Sequence, residues 1–283
     1  MKHPLREFTW YGVKKRLKGR RSKQLADKSC FEPVYYPKPT LRIFLTPKCN
    51  GNCPYCTNQQ YSEAKSQYDY EHLAVNIMAQ GLKRFYGLYQ YYFSGGECAL
   101  LDEFPQLIQE MNNANIVILT NLSDKSVENI NKIGKTNNNI LLDVSCHPHM
   151  MELSHFIENC KQVNFEKKVH VVYFPEIPVV EIIGKLREHG IRAFWSFGYQ
   201  QKVIRKTVAV ICKATNFHVA PDGGIHPCRT RTVLNRAPLG YVYDDKLDIF
   251  NSSITCSDYP KEGGRISPCA ACDILKEIDV CSG

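Results

Sequence analysis

The sequence predicts an α/β fold of parallel strands that ends in a small cysteine-rich extension built around a β-hairpin. From residue 40 to about residue 200, short apolar runs alternate with stretches whose apolar positions recur at helical spacing. The alternation yields six strands separated by about five helices. Strands joined by helices pair in parallel through right-handed crossovers, so the sheet curls into a partial or complete barrel or lies open. Beyond residue 200 the rhythm stops and Gly, Pro and Cys rise, which places a domain boundary near residues 200 to 211.

Leu41 to Thr46 reads as the first strand. Asp69 caps a helix with Leu73, Ile77, Leu82 and Phe85 on its apolar face, ending near Gly87. Gln90 to Phe93 is the second strand. Phe104, Leu107, Ile108 and Met111 mark the next helix, and Ile116 to Leu119 the third strand. Ser123 precedes a helix with Val127, Ile130 and Ile133 on one face and Gly134 at its end, before the strand Ile140 to Val144. Leu153, Phe156, Ile157 and Cys160 form another helical stripe ahead of the strand Val169 to Phe174. Pro178 suits a first helical position, with Ile182, Ile183 and Leu186 to bury and Gly190 as the stop. Arg192 to Phe197 is the sixth strand. In such folds, function gathers at the carboxyl ends of the strands.

At 283 residues and 43% hydrophobic content, the chain has enough apolar matter for one large domain or two modest ones. Collagen-like, mucin-like and wholly disordered classes are excluded. No apolar run approaches the roughly 18 residues that cross a bilayer, because Pro175, Glu176 and Pro178 break the best candidate. Charges and a Pro within the first six residues, with no apolar segment behind them, leave no secretory signal, so a reducing, cytoplasmic location is expected. The net charge of +8 is carried by residues 1 to 28, where ten Lys or Arg face only Glu7 and Asp27. A generally basic nucleic-acid-binding surface is therefore not supported. A basic N-terminal arm over residues 1–39 is, either solvated or in contact with nucleic acid, an acidic peptide or a phosphate-bearing substrate. Thirteen cysteines cannot all pair, and without a secretion signal their clusters read as metal ligands.

Directly after the first strand comes Cys49-Asn-Gly-Asn-Cys53-Pro-Tyr-Cys56. Three thiolates in eight residues, loosened by Gly51 and bent by Pro54, suit three corners of an iron-sulfur cube and leave the fourth iron open. A zinc tetrahedron would need a fourth ligand at short spacing, whereas the next His is His72 and the next Cys is Cys98. This C-x3-C-x2-C loop resembles the signature of the radical S-adenosylmethionine (radical SAM) superfamily. The resemblance covers residues 40–205 as a core and implies a partial (β/α)6 barrel. It also implies a 4Fe-4S cluster whose open iron binds SAM, reductive cleavage of SAM to a 5′-deoxyadenosyl radical, and hydrogen abstraction from a substrate. Tyr55 stands at the aromatic position that the family lays against adenine. Ser94-Gly95-Gly96-Glu97, after the second strand, is similar to the family's GGE motif, which receives the methionyl ammonium of SAM. Cys98 stands where the family commonly has Pro. Thr120-Asn121 resembles the family's TN turn, and Ser145 occupies a position that often contacts the SAM ribose. Ser145 also reads simply as a turn former at a strand end.

In the C-terminal part, Cys212-x10-Gly223-x4-Cys228 spans two strand-like pieces joined by Pro221-Asp222-Gly223-Gly224, and Cys269-Ala-Ala-Cys272 follows. Four such thiols suit one fully ligated cluster or a zinc ion. The pattern is similar to the SPASM and twitch extensions of radical SAM enzymes. It lacks the further cysteine of the full SPASM array, whose position is Ile278, so the shorter form with one auxiliary 4Fe-4S cluster over residues 206–283 is expected. Cys256 and Cys281 are candidate replacements for a ligand. Cys30, Cys98, Cys146 and Cys160 read as small buried apolar residues. His147 and His149 lie at the expected catalytic mouth, where they cap locally or meet substrate. Arg229 and Arg231 either hold an anionic group or are solvated.

The resemblance implies a radical SAM oxidoreductase. Its expected substrate is a ribosomally made peptide, with oxidation or rearrangement of a sugar alcohol or nucleotide as the alternative, and its electron donor a flavodoxin or ferredoxin. No catalytic base is legible. The competing class is a zinc protein that contacts nucleic acid through the basic arm.

Overall fold

The computed structural model describes residues 39–53, 56, 72–173, 177–197, 207–212, 216–227, 231–232, 238–247, 249, 254–260 and 278–280. The six expected strands form in order: β1 (Thr40–Phe44), β2 (Gln90–Ser94), β3 (Asn115–Thr120), β4 (Asn139–Cys146), β5 (Glu166–Tyr173) and β6 (Ala193–Phe197). Between them lie α1 (Val75–Lys83), α2 (Phe104–Glu110), α3 (Asp124–Lys132), α4 (Leu153–Gln162) and α5 (Val179–Glu188), with a single 3-10 turn at Cys98–Leu100. Each strand pairs in parallel with its sequence neighbour. The result is a partial α/β barrel, one of the three arrangements that the alternation allows.

Periodicity explains the burial. Phe104, Leu107, Ile108 and Met111 of the α2 segment are buried, as are Val127, Ile130 and Ile133 after Ser123, and Ile182, Ile183 and Leu186 of α5. They pack on Tyr91, Phe93, Ile116, Ile118, Leu142, Val144, Val169 and Val171 in one continuous core. The Phe93 and Phe104 rings meet edge to face at 5.7 Å, and Tyr91 donates from Oη to the Leu82 carbonyl at 2.8 Å. Pro178 precedes α5 as its N-cap rather than forming its first turn.

The α1 stripe holds in part: Leu82 and Phe85 are buried and Leu73 packs against the core, but Ile77 is 41% exposed, and Met78, Ala79 and Gly81 share the buried face instead. The cause is a neighbour far along the chain. After β6 come β7 (Thr207–Cys212), β8 (Phe217–Val219), β9 (Gly224–His226), β10 (Gly240–Tyr241), β11 (Ile254–Pro260) and β12 (Ile278–Val280). The expected hairpin forms as β8 and β9 around Pro221, Asp222 and Gly223, with the Gly224 N–H donating to Asp222 Oδ1 at 2.9 Å. This hairpin extends the main sheet, because β8 pairs in parallel with β1, giving the order β10-β9-β8-β1-β2-β3-β4-β5-β6. The Leu73 N–H donates to the Pro221 carbonyl, and Arg84 caps the carbonyls of Asp244 and Asp245, so α1 is rotated to face the hairpin and the turn after it. Separately, β7 sits between β11 and β12 in an antiparallel three-stranded sheet. No helix among the described residues is long and apolar enough to cross a membrane.

A Cβ at Gly81 would lie 2.7 Å from the Val242 carbonyl oxygen, a backbone atom that cannot swing aside. Ala is favoured over Gly within a helix by about 1 kcal/mol, so propensity alone predicts that Gly81→Ala stabilises. The clash outweighs that gain. Gly81→Ala is expected to lower stability by about 1–2 kcal/mol in urea unfolding, and a stabilised variant would show that α1 does not rest on residue 242.

Candidate functional site

The carboxyl ends of β1, β2 and β3 are tied into one unit by backbone and amide groups. The chain leaving β1 offers its carbonyls to the Gly-Gly-Glu turn after β2: the Gly96 N–H donates to Thr46 O at 2.7 Å and the Glu97 N–H to Lys48 O at 2.8 Å. Such an approach requires missing side chains. A Cβ at Gly96 would lie 2.0 Å from Lys48 O, and one at Gly95, whose φ is +133°, 2.7 Å from Thr46 O. The third strand joins through Asn121, whose Nδ2 donates to Asn50 Oδ1 at 2.8 Å and whose backbone N–H donates to Glu97 Oε2 at 2.7 Å. Asn50 lies beside Cys49 in the three-cysteine loop, so that loop is fixed to both neighbouring strand ends.

Two buried asparagines support these turns from the helices behind. Asn129 of α3 donates to Ala99 O and Leu101 O at 2.9 and 3.1 Å, holding the turn that follows Glu97. Asn159 of α4 donates to Leu122 O and Asp124 Oδ1, both at 2.9 Å. Leu122 is held at a φ of +50°, in the left-handed region that a branched residue rarely adopts, with its N–H donating to Thr120 Oγ1.

Glu97 is 2% exposed. Burial pushes its carboxyl up to about 7, against the opposing pull of the Asn121 N–H and the nearby Thr120 hydroxyl. Its Oε2 is satisfied by Asn121, whereas Oε1 makes no aligned hydrogen bond. Cys98, beside it, is fully buried with Sγ 3.7 Å from the Leu119 carbonyl, and Cys146 and Cys160 are buried too, as expected of small apolar residues.

Within the loop, Cys49 is exposed, Cys53 is buried and Cys56 lies between. The Gly51 N–H donates to Cys49 Sγ at 3.3 Å, and the Cys56 N–H to the Cys53 carbonyl at 3.0 Å. Cys53 Sγ lies 3.4 Å from the thioether of Met150, which crosses from the loop after β4 and also covers Gly51. Burial, with the charges of Glu97 and Cys56, raises the Cys49 thiol above its ordinary value, and a bound cation would reverse that. Among the described residues no three His, Cys, Asp or Glu side chains are drawn together at metal-binding distance. The donor chemistry fits an iron-sulfur cluster nonetheless: three thiols on one short loop, no fourth Cys or His in contact with them among the described residues, and a side-chain-free Gly95-Gly96 backbone adjoining.

Ser145 is half-buried on β4, opposite His170 of β5 in register. The His147 and His149 rings lie 5.9 Å apart in the loop that follows, where burial and the neighbouring His149 hold His147 down to about 4. Cys212 closes β7, opposite Ile254 on one side and Ile278 on the other, and Cys256 lies on β11. Tyr55, Cys228, Arg229, Cys269, Cys272, Cys281 and the basic arm lie outside the described residues. Sequence reasoning singled out the cysteines and the Gly-Gly-Glu turn but missed Asn50, Met150, Asn129 and Asn159. Lone amides and a lone thioether carry no spacing signal.

The buried Glu97 has a pH signature. Its folded value, about 7, lies above the ordinary 4.5. The folded chain therefore keeps a proton that the unfolded chain has lost. The contribution to stability is full below pH 4.5 and falls by about 3 kcal/mol as pH rises through 7. Glu97→Gln is expected to flatten the dependence of urea-unfolding free energy over that interval, and an unchanged slope would place the titration elsewhere.

No family model and no curated protein matches the chain. Solved structures do. Streptococcus suis SuiB bound to S-adenosylmethionine matches with a TM-score of 0.50 and 15% identity, over 85% of this chain and 72% of SuiB. A second structure of Streptococcus suis SuiB matches with the same TM-score and identity over 96% of this chain and 82% of SuiB. BtrN in complex with AdoMet and 2-DOIA matches with a TM-score of 0.43 and 12% identity, over 88% of this chain and 96% of BtrN. At these identities the likeness to SuiB is one of fold: the chain shares its partial α/β barrel.

Proposed function

We propose that this chain is a radical SAM enzyme, with Cys49, Cys53 and Cys56 holding a 4Fe-4S cluster and Tyr55, Gly95, Gly96, Glu97 and Ser145 receiving SAM. The observation that carries this reading is the attachment of the three-cysteine loop, through Gly96, Glu97 and Asn121, to the ends of β2 and β3. That attachment puts three thiols and a side-chain-free backbone at one barrel mouth. The SAM-bound state of SuiB, whose fold this chain shares, supports the choice of cosubstrate. When bound, the cluster and SAM supply reductive cleavage of a carbon–sulfur bond and a 5′-deoxyadenosyl radical that takes hydrogen from substrate. The chain's own work is placement. Three thiols leave one iron coordination site for SAM, the glycines admit its methionyl end, and the barrel below the loop positions substrate and excludes water.

Cys212, Cys228, Cys269 and Cys272 would hold one auxiliary 4Fe-4S cluster. With all four thiols in place it has no open iron, which suits it to accept an electron and favours net two-electron oxidation. A flavodoxin or ferredoxin would supply the reducing electron. The substrate read first is a ribosomally made peptide, oxidised or cross-linked, with the basic arm meeting an acidic leader. The second reading, a small polar molecule, is favoured by the ionisable side chains Asp143 and His170 inside the barrel.

Anaerobic reconstitution with iron and sulfide is expected to give a brown protein with about eight irons per chain that forms 5′-deoxyadenosine on reduction. Colourless, zinc-replete protein would favour the nucleic-acid-binding alternative instead. Cys53→Ala is expected to abolish SAM cleavage, whereas Cys228→Ala keeps partial cleavage and loses product. Full product turnover by Cys228→Ala would remove the electron-acceptor role.

A further inference from the structure

Backbone and amide contacts tie the three-cysteine loop to β1, β2 and β3, while Cys53 is met from β4 and β5. Cys53 is 8% exposed and packs on Val172 of β5, with Met150 and Cys56 beside them. Val172 faces the barrel interior, because its neighbour Val171 belongs to the helix-side core and successive strand residues alternate in direction. Cys53 therefore reaches into the mouth, whereas Cys49 stays exposed.

Met150 comes from a short turn after β4 that has its own supports. Its N–H donates to the His147 carbonyl at 2.8 Å. The next residue, Met151, packs against the helix-side core, and Asn159 Nδ2 donates to its sulfur at 3.8 Å. One methionine of the pair anchors the turn and the other projects over the cysteines. Met150 Sδ lies 3.4 Å from Cys53 Sγ. Its end also crosses Gly51, where a Cβ would lie 2.6 Å from Cε and 2.7 Å from Sδ. A glycine at residue 51 lets the thioether through, so Gly51 tightens the loop where the sequence suggested that it loosens it. An unbranched side chain with three rotatable bonds suits a gap of this shape.

We propose that Met150 is a positioning residue for Cys53: it clasps the loop through the space left at Gly51, fixes the direction of the Cys53 sulfur and keeps solvent and oxidants from it. The service this renders to a cluster rests on the radical SAM reading above; the clasp itself is a property of the metal-free chain. Met150 acts through Cys53 and by its bulk and reach.

The test is alkylation of the metal-free full chain by limiting iodoacetamide, with the modified fraction at each cysteine read by peptide mass spectrometry. Exposed Cys49 reports on the reagent, and buried Cys146 and Cys160 report on general loosening. Met150→Ala is expected to raise the rate at Cys53 about tenfold relative to Cys49, with Cys146 and Cys160 unchanged. Met150→Leu keeps the bulk and is expected to restore protection to within about twofold of the unmodified chain. Gly51→Ala is expected to reproduce the Met150→Ala pattern, because the atoms its methyl meets are the free end of a flexible side chain, which is pushed off Cys53. An unchanged rate at Cys53 in both Met150→Ala and Gly51→Ala overturns the clasp, as does a Met150→Leu chain as reactive there as Met150→Ala. If Met150→Ala exposes all the buried cysteines together, Gly51→Ala decides alone: selective exposure of Cys53 supports the clasp, and an unchanged rate overturns it. A chain that shows the selective pattern but takes up no iron and sulfide keeps the clasp and loses the radical SAM reading.

Discussion

The site depends on how closely the backbone leaving β1 approaches the turn after β2. Thr46 and Lys48 present carbonyls to the N–H groups of Gly96 and Glu97, at distances that a single Cβ on residue 96 would forbid. Each such bond contributes only about 1 kcal/mol net. Their effect is geometric: they fix where the chain emerges just before Cys49. Asn121 adds a third strand to the same arrangement by bonding to Asn50 through its side chain and to Glu97 through its backbone. Three strand ends thereby act as one rigid support for a loop that has little regular structure of its own.

The two faces of the parallel sheet obey different demands. The helix side is a single apolar core in which strand and helix residues interdigitate. The interior side carries Arg42, whose guanidinium lies 5.0 Å from the centre of the Tyr92 ring, and then Asp143, Lys168 and His170. Charged groups inside a barrel are costly to bury unless they are paired or hydrogen-bonded. Stability alone would favour aliphatic residues there. Their presence beneath the cysteine loop marks the interior as a place for polar matter.

Much of the architecture was legible from spacing. The stripes on α2, α3 and α5 were readable because each contacts elements beside it in the sequence, so local periodicity and final burial agree. The stripe on α1 was legible only in part: Leu82 and Phe85 are buried as expected, but Ile77 is not, because the segment covering the helix, Pro221 and residues 242 to 245, lies far along the chain. The hairpin turn was visible in Pro221-Asp222-Gly223, while the pairing of its first strand with β1 was not, since three residues carry no partner information. At the site, the cysteine spacing and the paired glycines were readable because each needs several residues at fixed intervals. Asn50, Asn129 and Asn159 act alone, each through one amide. The Asp143 and His170 pair arises only when two parallel strands align.

The parallel contact between β8 and β1 joins two segments far apart in the chain. Thr40 and Asn216 are bonded across 176 positions of sequence. Until residues 217–219 leave the ribosome, the strand that carries the cysteine loop stands at an open margin, with its peptide groups on that side exposed to solvent or to other chains. Cutting the protein after its sixth strand would expose the same margin permanently. Self-association is the physical hazard of such a fragment, and the hairpin removes it by covering the free edge of the first strand.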